Sequence, residues 1–169
     1  LTSDGYLTSS MQPTDKAIAL YKHSVPQNAI ILAAGFGMRM VPINTETPKG
    51  LLEIHDEALI ERIIRQLHEA NIHNIYIVVG FMKEQYEYLI DEYGVELVYN
   101  KEYAVKNNLF SLAKVKDRLE NAYIVPCDLW CRTNPFSETE LYSWYMIDEM
   151  PDEDSTIRMN RKMELKSSW

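Results

Sequence analysis

Four short and nearly uninterrupted apolar runs recur along the chain: Ala29-Ile30-Ile31-Leu32-Ala33, Ile75-Tyr76-Ile77-Val78-Val79, Val95-Glu96-Leu97-Val98-Tyr99 and Ala122-Tyr123-Ile124-Val125. A strand that is apolar on both of its sides has to be covered on both faces of its sheet. Stretches with helical periodicity lie between these runs. Leu59 to Ala70 sets Ile60, Ile63, Ile64 and Leu67 on one face, Lys83 to Glu92 is closed by Gly94, and Leu109 to Leu119 has Asn108 as its candidate N-cap. Strands alternating with helices predict an α/β fold: a Rossmann-like three-layer sandwich built on a mainly parallel (mixed) sheet. Such sheets take their ligands outside the carboxyl ends of the strands.

The flanks read differently. In residues 1–27, Thr2 to Thr8 has the pattern of a hairpin turning at Asp4-Gly5, and Pro13 opens a short helical pattern through Ala17, Ile18, Leu20 and Tyr21. This piece is too small to bury a core of its own. It is either a packed N-terminal arm or the last hairpin and helix of a winged-helix domain, and Pro26 marks its boundary with a main domain over residues 28–169. Near the C-terminus, Leu141 to Ile147 reads as a strand, Pro151 to Asp154 as a solvated turn and Ser155 to Leu165 as further strand. The chain opens on Leu1 rather than Met, the expectation for a processed or trimmed product.

Composition narrows the class. A formal charge of −8 argues against bulk nucleic-acid binding by this domain, which needs a basic face. It leaves room for a small anion site made by a few local donors. No apolar run approaches the roughly 18–20 residues of a membrane span, so no membrane attachment is expected. The two cysteines, Cys127 and Cys131, have neither zinc spacing nor partner cysteines, which points to free thiols and a cytoplasmic setting. The four histidines are scattered and form no constellation with Ser or Cys.

Two segments carry chemistry. In Leu32-Ala33-Ala34-Gly35-Phe36-Gly37-Met38-Arg39, a buried strand runs directly into a glycine-containing turn, and Pro48-Lys49 follows. Small residues let backbone N–H groups approach phosphate closely, while Arg39 and Lys49 bring two cations to the same loop. Gly35-x-Gly37 alone is equally an ordinary tight turn. The segment has no Gly-Lys-Ser/Thr and no third fingerprint glycine, so it is neither a Walker loop nor a dinucleotide fingerprint. In Tyr123-Ile124-Val125-Pro126-Cys127-Asp128 an apolar strand delivers a carboxylate at its carboxyl end, where Asp128 is a ligand-site candidate or a turn cap.

Taken together, Ala-Ala-Gly-x-Gly-x-Arg after an apolar strand and Pro-Lys ten residues past Arg39 resemble the signature of the nucleotidyltransferases that make nucleoside-diphosphate sugars and alcohols. Met38 departs from that family, which has a small hydroxylated residue there. Asn107-Asn108-Leu109-Phe110-Ser111-Leu112 further resembles the Asn-Asn-x-x-Ser-Leu stretch of the bacterial phosphocholine cytidylyltransferases. The resemblance implies the nucleotide-diphospho-sugar transferase type of fold and cytidylyl transfer from CTP to phosphocholine. It implies a phosphate cradle over Leu32, Ala33, Ala34, Gly35, Phe36, Gly37 and Met38, with Arg39 and Lys49 neutralising the triphosphate. It also implies Mg²⁺ on Asp128, and Gly80 and Asn107 near base and ribose. Trp130 is the candidate headgroup contact, because aromatic faces attract quaternary ammonium. Tyr142, Trp144 and Tyr145 accompany it, and at least two of these four aromatics are read as core or cross-strand packing. Family members run longer, so this chain is expected to lack a second metal carboxylate and part of the acceptor pocket. Two other readings stay open: a sugar-1-phosphate nucleotidyltransferase using UTP or dTTP, and a nucleotide-binding module without catalysis.

Overall fold

The computed structural model of the chain describes residues 1–35, 46–105, 108–146, 158–160 and 165–166. Its centre is a sheet of four parallel strands: β1 (Asn28–Ala33), β4 (Ile75–Val79), β5 (Glu96–Tyr99) and β6 (Ala122–Pro126), in the order β5-β4-β1-β6. Each of the four predicted runs forms one strand. Ala29, Ile30 and Ile31 are all fully buried, as a strand covered from both sides requires.

The pleat sends alternate residues to opposite faces. Ala29, Ile31 and Ala33 join Ile75, Ile77 and Val79 in one core with α2 (Leu59–Glu69) and α3 (Tyr88–Tyr93), through Ile60, Ile63, Ile64, Leu67 and Leu89. Ile30 and Val78 face the other way, where Val115 is buried with them, and Leu112 of α4 (Asn108–Ala113) packs against that cluster. The helix preceding β6 therefore lies on the opposite face from the helix following β1, and three layers result.

Several elements differ from expectation for local reasons. The helix expected over 83–92 is a 3₁₀ turn, Lys83–Tyr86, followed by α3. Met82, in the left-handed region at φ 51°, offers no side-chain cap, and the first turn tightens to i+3 bonds such as Gln85 N–H to Met82 C=O at 3.0 Å. Gly94 ends α3 at φ 68°, as read from the sequence. The expected 109–119 helix begins at Asn108, a helical residue rather than a cap. It stops at Ala113 because Val115, at φ −118°, leaves the helix to enter the core, and a 3₁₀ turn over Lys116–Arg118 completes the segment.

A short hairpin, β2 (Glu53–Ile54) with β3 (Glu57–Ala58), was not expected. Its two turn residues, His55 and Asp56, are both left-handed (φ 57° and 61°), the demand usually met by Asn-Gly.

The predicted hairpin over 2–8 is a turn at Gly5 (φ 75°) without paired arms; the bridge there joins Leu7 to Pro13. Helix α1 (Asp15–Ser24) starts after Thr14, whose hydroxyl accepts from the Ala17 amide, so Thr14 rather than Pro13 opens it. The end of α1 is tied to the sheet by Asn121, whose side-chain amide donates to the carbonyls of His23 and Val25 at 2.9 and 2.6 Å.

Of the predicted strand 141–147, residues 141–146 are bends and irregular chain. The Glu140 amide bonds to Ser24 C=O at 2.7 Å instead of starting a ladder, and Trp144 folds edge-on against Tyr123 at 6.1 Å. Tyr142 and Tyr145 are exposed rather than packed. Within the predicted strand 155–165, β7 (Arg158–Met159) pairs antiparallel with β8 (Leu165–Lys166). The turn expected at 151–154 lies outside the described residues.

Ile64 is fully buried in the core on the α2 face of the sheet. Ile64→Ala is expected to lower unfolding free energy by about 2–5 kcal/mol, measured by urea titration followed by circular dichroism.

Candidate active site

Strand order reverses between β1 and β6. The chain leaving β1 returns on one side as β4, whereas β6 pairs on the other. In an open parallel sheet the crevice forms at such a switch point, beyond the carboxyl ends of the strands. The end of β1 and its exit are made of small residues. Ala33 and Ala34 are buried, Gly35 is exposed, and a Cβ built on Gly35 would meet nothing within 4 Å among the described residues.

Neighbouring strands fix this exit. The Cys127 amide donates to Leu32 C=O at 3.2 Å, and the Phe81 amide donates to Ala34 C=O at 3.2 Å. Gly80 is buried under the Tyr103 ring: a Cβ there would stand 2.5 Å from Tyr103 Cβ and 2.7 Å from the Ala34 carbonyl oxygen. Only glycine permits this approach of three segments. Phe81 and Tyr103, with centroids 6.4 Å apart, line the same end of the sheet.

Lys49 opens a 3₁₀ turn, Lys49–Leu51, that follows an extended Pro48. Asp128 stands two residues past β6. The Lys49 ammonium and the Asp128 Oδ2 form an ion pair, with 32% and 33% of their side chains exposed. Two residues far apart in sequence thus meet beside the β1 exit, and both remain open to a ligand. Cys127, buried directly behind Asp128, has its thiol pushed up to about 12, first by burial and then by the Asp128 charge, with Lys49 opposing.

Trp130 follows on irregular chain. One face of its ring is covered by the Arg62 guanidinium at 4.8 Å, and the His55 ring is tilted 5.8 Å away. Arg62 is fixed by Glu57 and by the carbonyls of Cys131 and Arg132. The chain's own cation therefore occupies one face of the aromatic ring read as a headgroup contact.

Of the predicted site residues, the structure gathers Leu32, Ala33, Ala34, Gly35 and Gly80 around the β1 exit, and it pairs Lys49 with Asp128. Phe36, Gly37, Met38, Arg39 and Asn107 lie outside the described residues. Sequence reasoning missed the wall residues Gly50, Tyr86 and Tyr103. A glycine directly after Lys49 was a usable signal of close approach, whereas nothing local marked Tyr86 or Tyr103. Among the described residues no group of three or more His, Cys, Asp or Glu could hold a metal, and no helix is long and apolar enough to cross a membrane.

The sequence profile of the MobA-like NTP transferase domain matches residues 29–141, from the first buried strand to well past Asp128. The chain belongs to this family. As an NTP transferase domain it is similar to the choline-phosphate cytidylyltransferase of Streptococcus pneumoniae, with 44% identity over 117 residues, covering 69% of this chain and 51% of that protein. The choline-phosphate cytidylyltransferase of Haemophilus influenzae is 40% identical over 118 residues, covering 70% and 51%. The solved structure of CTP:phosphocholine cytidylyltransferase from Streptococcus pneumoniae superposes with a TM-score of 0.66 at 44% identity, over 68% of this chain and 50% of that one. The NTP transferase domain thus has the nucleotide-diphospho-sugar transferase fold. The chain spans about half the length of the curated relatives it matches.

The environment of Cys127 has a direct readout. A thiol whose pKa is raised from 9.0 to about 12 favours folding below pH 9, and that contribution fades as pH climbs toward 12. At pH 8 Cys127 is expected to resist a thiolate-reactive disulfide reagent in the folded chain and to react promptly in urea. Rapid labelling of Cys127 in the native protein, located by mass spectrometry, would contradict the burial described here.

Proposed function

We propose that this domain transfers the cytidylyl group of CTP to phosphocholine, giving CDP-choline and pyrophosphate. One observation carries the reading: an ammonium–carboxylate pair, Lys49 with Asp128, a third of each side chain exposed, beside the small-residue exit of β1 at the switch point of a parallel sheet. The 40–44% identity to choline-phosphate cytidylyltransferases supports CTP and phosphocholine as the substrates.

In this reading a phosphate oxygen of phosphocholine attacks the α-phosphorus of CTP in line. The bond from that phosphorus to the bridging oxygen breaks, and pyrophosphate leaves with the electron pair. The attacking phosphate is already ionised, so no general base is required. The protein's work is positioning and charge neutralisation. The backbone from Leu32 through Met38 cradles phosphates, Lys49 and Arg39 neutralise them, and Gly80 and Asn107 border the base and ribose.

Asp128 fits Mg²⁺, which binds through one or two carboxylates together with waters and substrate phosphates. When bound, the ion would spread positive charge over the phosphate oxygens. Lys49 already neutralises Asp128, so nucleotide binding redirects this ammonium toward the triphosphate. Trp130 borders the choline group with the ring surface that Arg62 leaves open. Two free thiols and an intracellular nucleotide support a cytoplasmic setting. The −8 charge supports the absence of nucleic-acid partners.

The test is pyrophosphate release by this chain with CTP and phosphocholine, compared with UTP or dTTP and glucose-1-phosphate. Turnover is expected only with the first pair. Faster turnover with a sugar phosphate would reassign the acceptor. Calorimetric CTP binding with no pyrophosphate release would instead establish the alternative, a nucleotide-binding module without catalysis.

Lys49→Ala and Asp128→Ala are each expected to reduce turnover by about 10²-fold or more, and wild-type rates in both would refute the assigned roles. Trp130→Ala is expected to raise the KM for phosphocholine about twofold to thirtyfold and to leave that for CTP unchanged, as steady-state kinetics will read.

A further inference from the structure

Tyr86 heads the fully buried side chains by volume, at 1% exposure, and the mechanism above gives its hydroxyl no task. Its ring belongs to the core shared with Leu89 and Ile60. Its hydroxyl reaches the other way and lies against the Gly50 backbone. A Cβ on Gly50 would stand 3.1 Å from the Tyr86 hydroxyl oxygen, 3.1 Å from Cys127 Cβ and 3.4 Å from Cys127 Sγ. The turn that starts at Lys49 is therefore wedged between a phenol hydroxyl and the end of β6.

The chain positions make this wedge specific. Gly50 is the residue after Lys49, and Cys127 is the residue before Asp128. Contact between the two inner residues sets the separation of the two outer ones, whose side chains form the ion pair. Neither wall yields easily. Cys127 is locked to β1 through its amide bond to Leu32, and Tyr86 is packed on every side. A phenylalanine would fill the same core volume, so the hydroxyl adds little beyond its contact with the turn.

We infer that Tyr86 is a positioning residue for nucleotide transfer, its buried hydroxyl holding the Lys49–Gly50 turn so that the Lys49 ammonium lies beside Asp128 and faces the triphosphate. This rests on the reading that Lys49 meets the nucleotide.

A double-mutant cycle with CTP binding measured by calorimetry tests it. Tyr86→Phe is expected to weaken CTP binding about threefold to tenfold, the range of one ordinary hydrogen bond. In the Lys49→Ala background the same substitution is expected to have no further effect, because it acts through Lys49. Tyr88→Phe removes another phenol hydrogen bond, 2.6 Å to the Glu61 carboxylate rather than to the turn backbone, and should leave CTP affinity unchanged. Equal losses from Tyr86→Phe in both backgrounds, or no loss in either while Lys49→Ala alone weakens binding, would overturn the inference. Unchanged CTP binding in Lys49→Ala would instead overturn the underlying site reading. Should Tyr86→Phe fold poorly, Gly50→Ala enters the same cycle: its Cβ displaces the turn, and the same dependence on Lys49 is expected.

Discussion

The parallel pairing of β1 with β6, registered from Asn28↔Ala122 to Leu32↔Pro126, is the constraint on which the site depends. It lays the strand that comes last in the sheet's chain order against the first. Asp128, carried by the chain leaving β6, is thereby brought level with the small-residue exit of β1. The opposite neighbour, β4, supplies Gly80 to the same exit. Three strand ends thus converge without any of them being long. The surrounding core, with Ile31 and Ile77 fully buried, gives them a stiff base.

The ion pair at the centre is not what holds the fold together. With a third of each side chain exposed, Lys49 and Asp128 gain roughly 0–1 kcal/mol from each other. A weak pair suits a binding site, since a ligand can exchange it for other contacts at small cost. Placement is supplied by backbone packing behind the pair, where Gly50 meets Cys127 and Tyr86. Rigid support and loosely held charges are thus separate layers of the same site.

The sheet was legible because its signal is local: Ile75 to Val79 is apolar at every position, and the strand formed there has those bounds. Lys49 and Asp128 were legible as chemistry through their motifs, and their meeting follows from topology. What stayed hidden depends on contacts between distant segments. His55-Asp56 carries no turn signature, yet both residues accept left-handed backbone to close β2 on β3. Val115 leaves its helix because a core position across the sheet draws it in. Aromatic alternation at Tyr142 and Trp144 suggested a strand, but no paired partner lies beside them among the described residues, and Trp144 packs on Tyr123 instead. Tyr86 is one of eleven tyrosines and is distinguished only by what its hydroxyl touches.

The mutual neutralisation of Lys49 and Asp128 has a kinetic consequence. A crevice whose principal cation is already compensated exerts little local pull on an approaching anion, while the chain as a whole carries −8. The long-range field therefore opposes the arrival of a polyphosphate rather than guiding it. Mobile counterions shorten that field to about 10 Å at 0.1 M salt. Encounter with nucleotide should accordingly quicken as ionic strength rises from very low values, the reverse of the behaviour of an electrostatically steered enzyme.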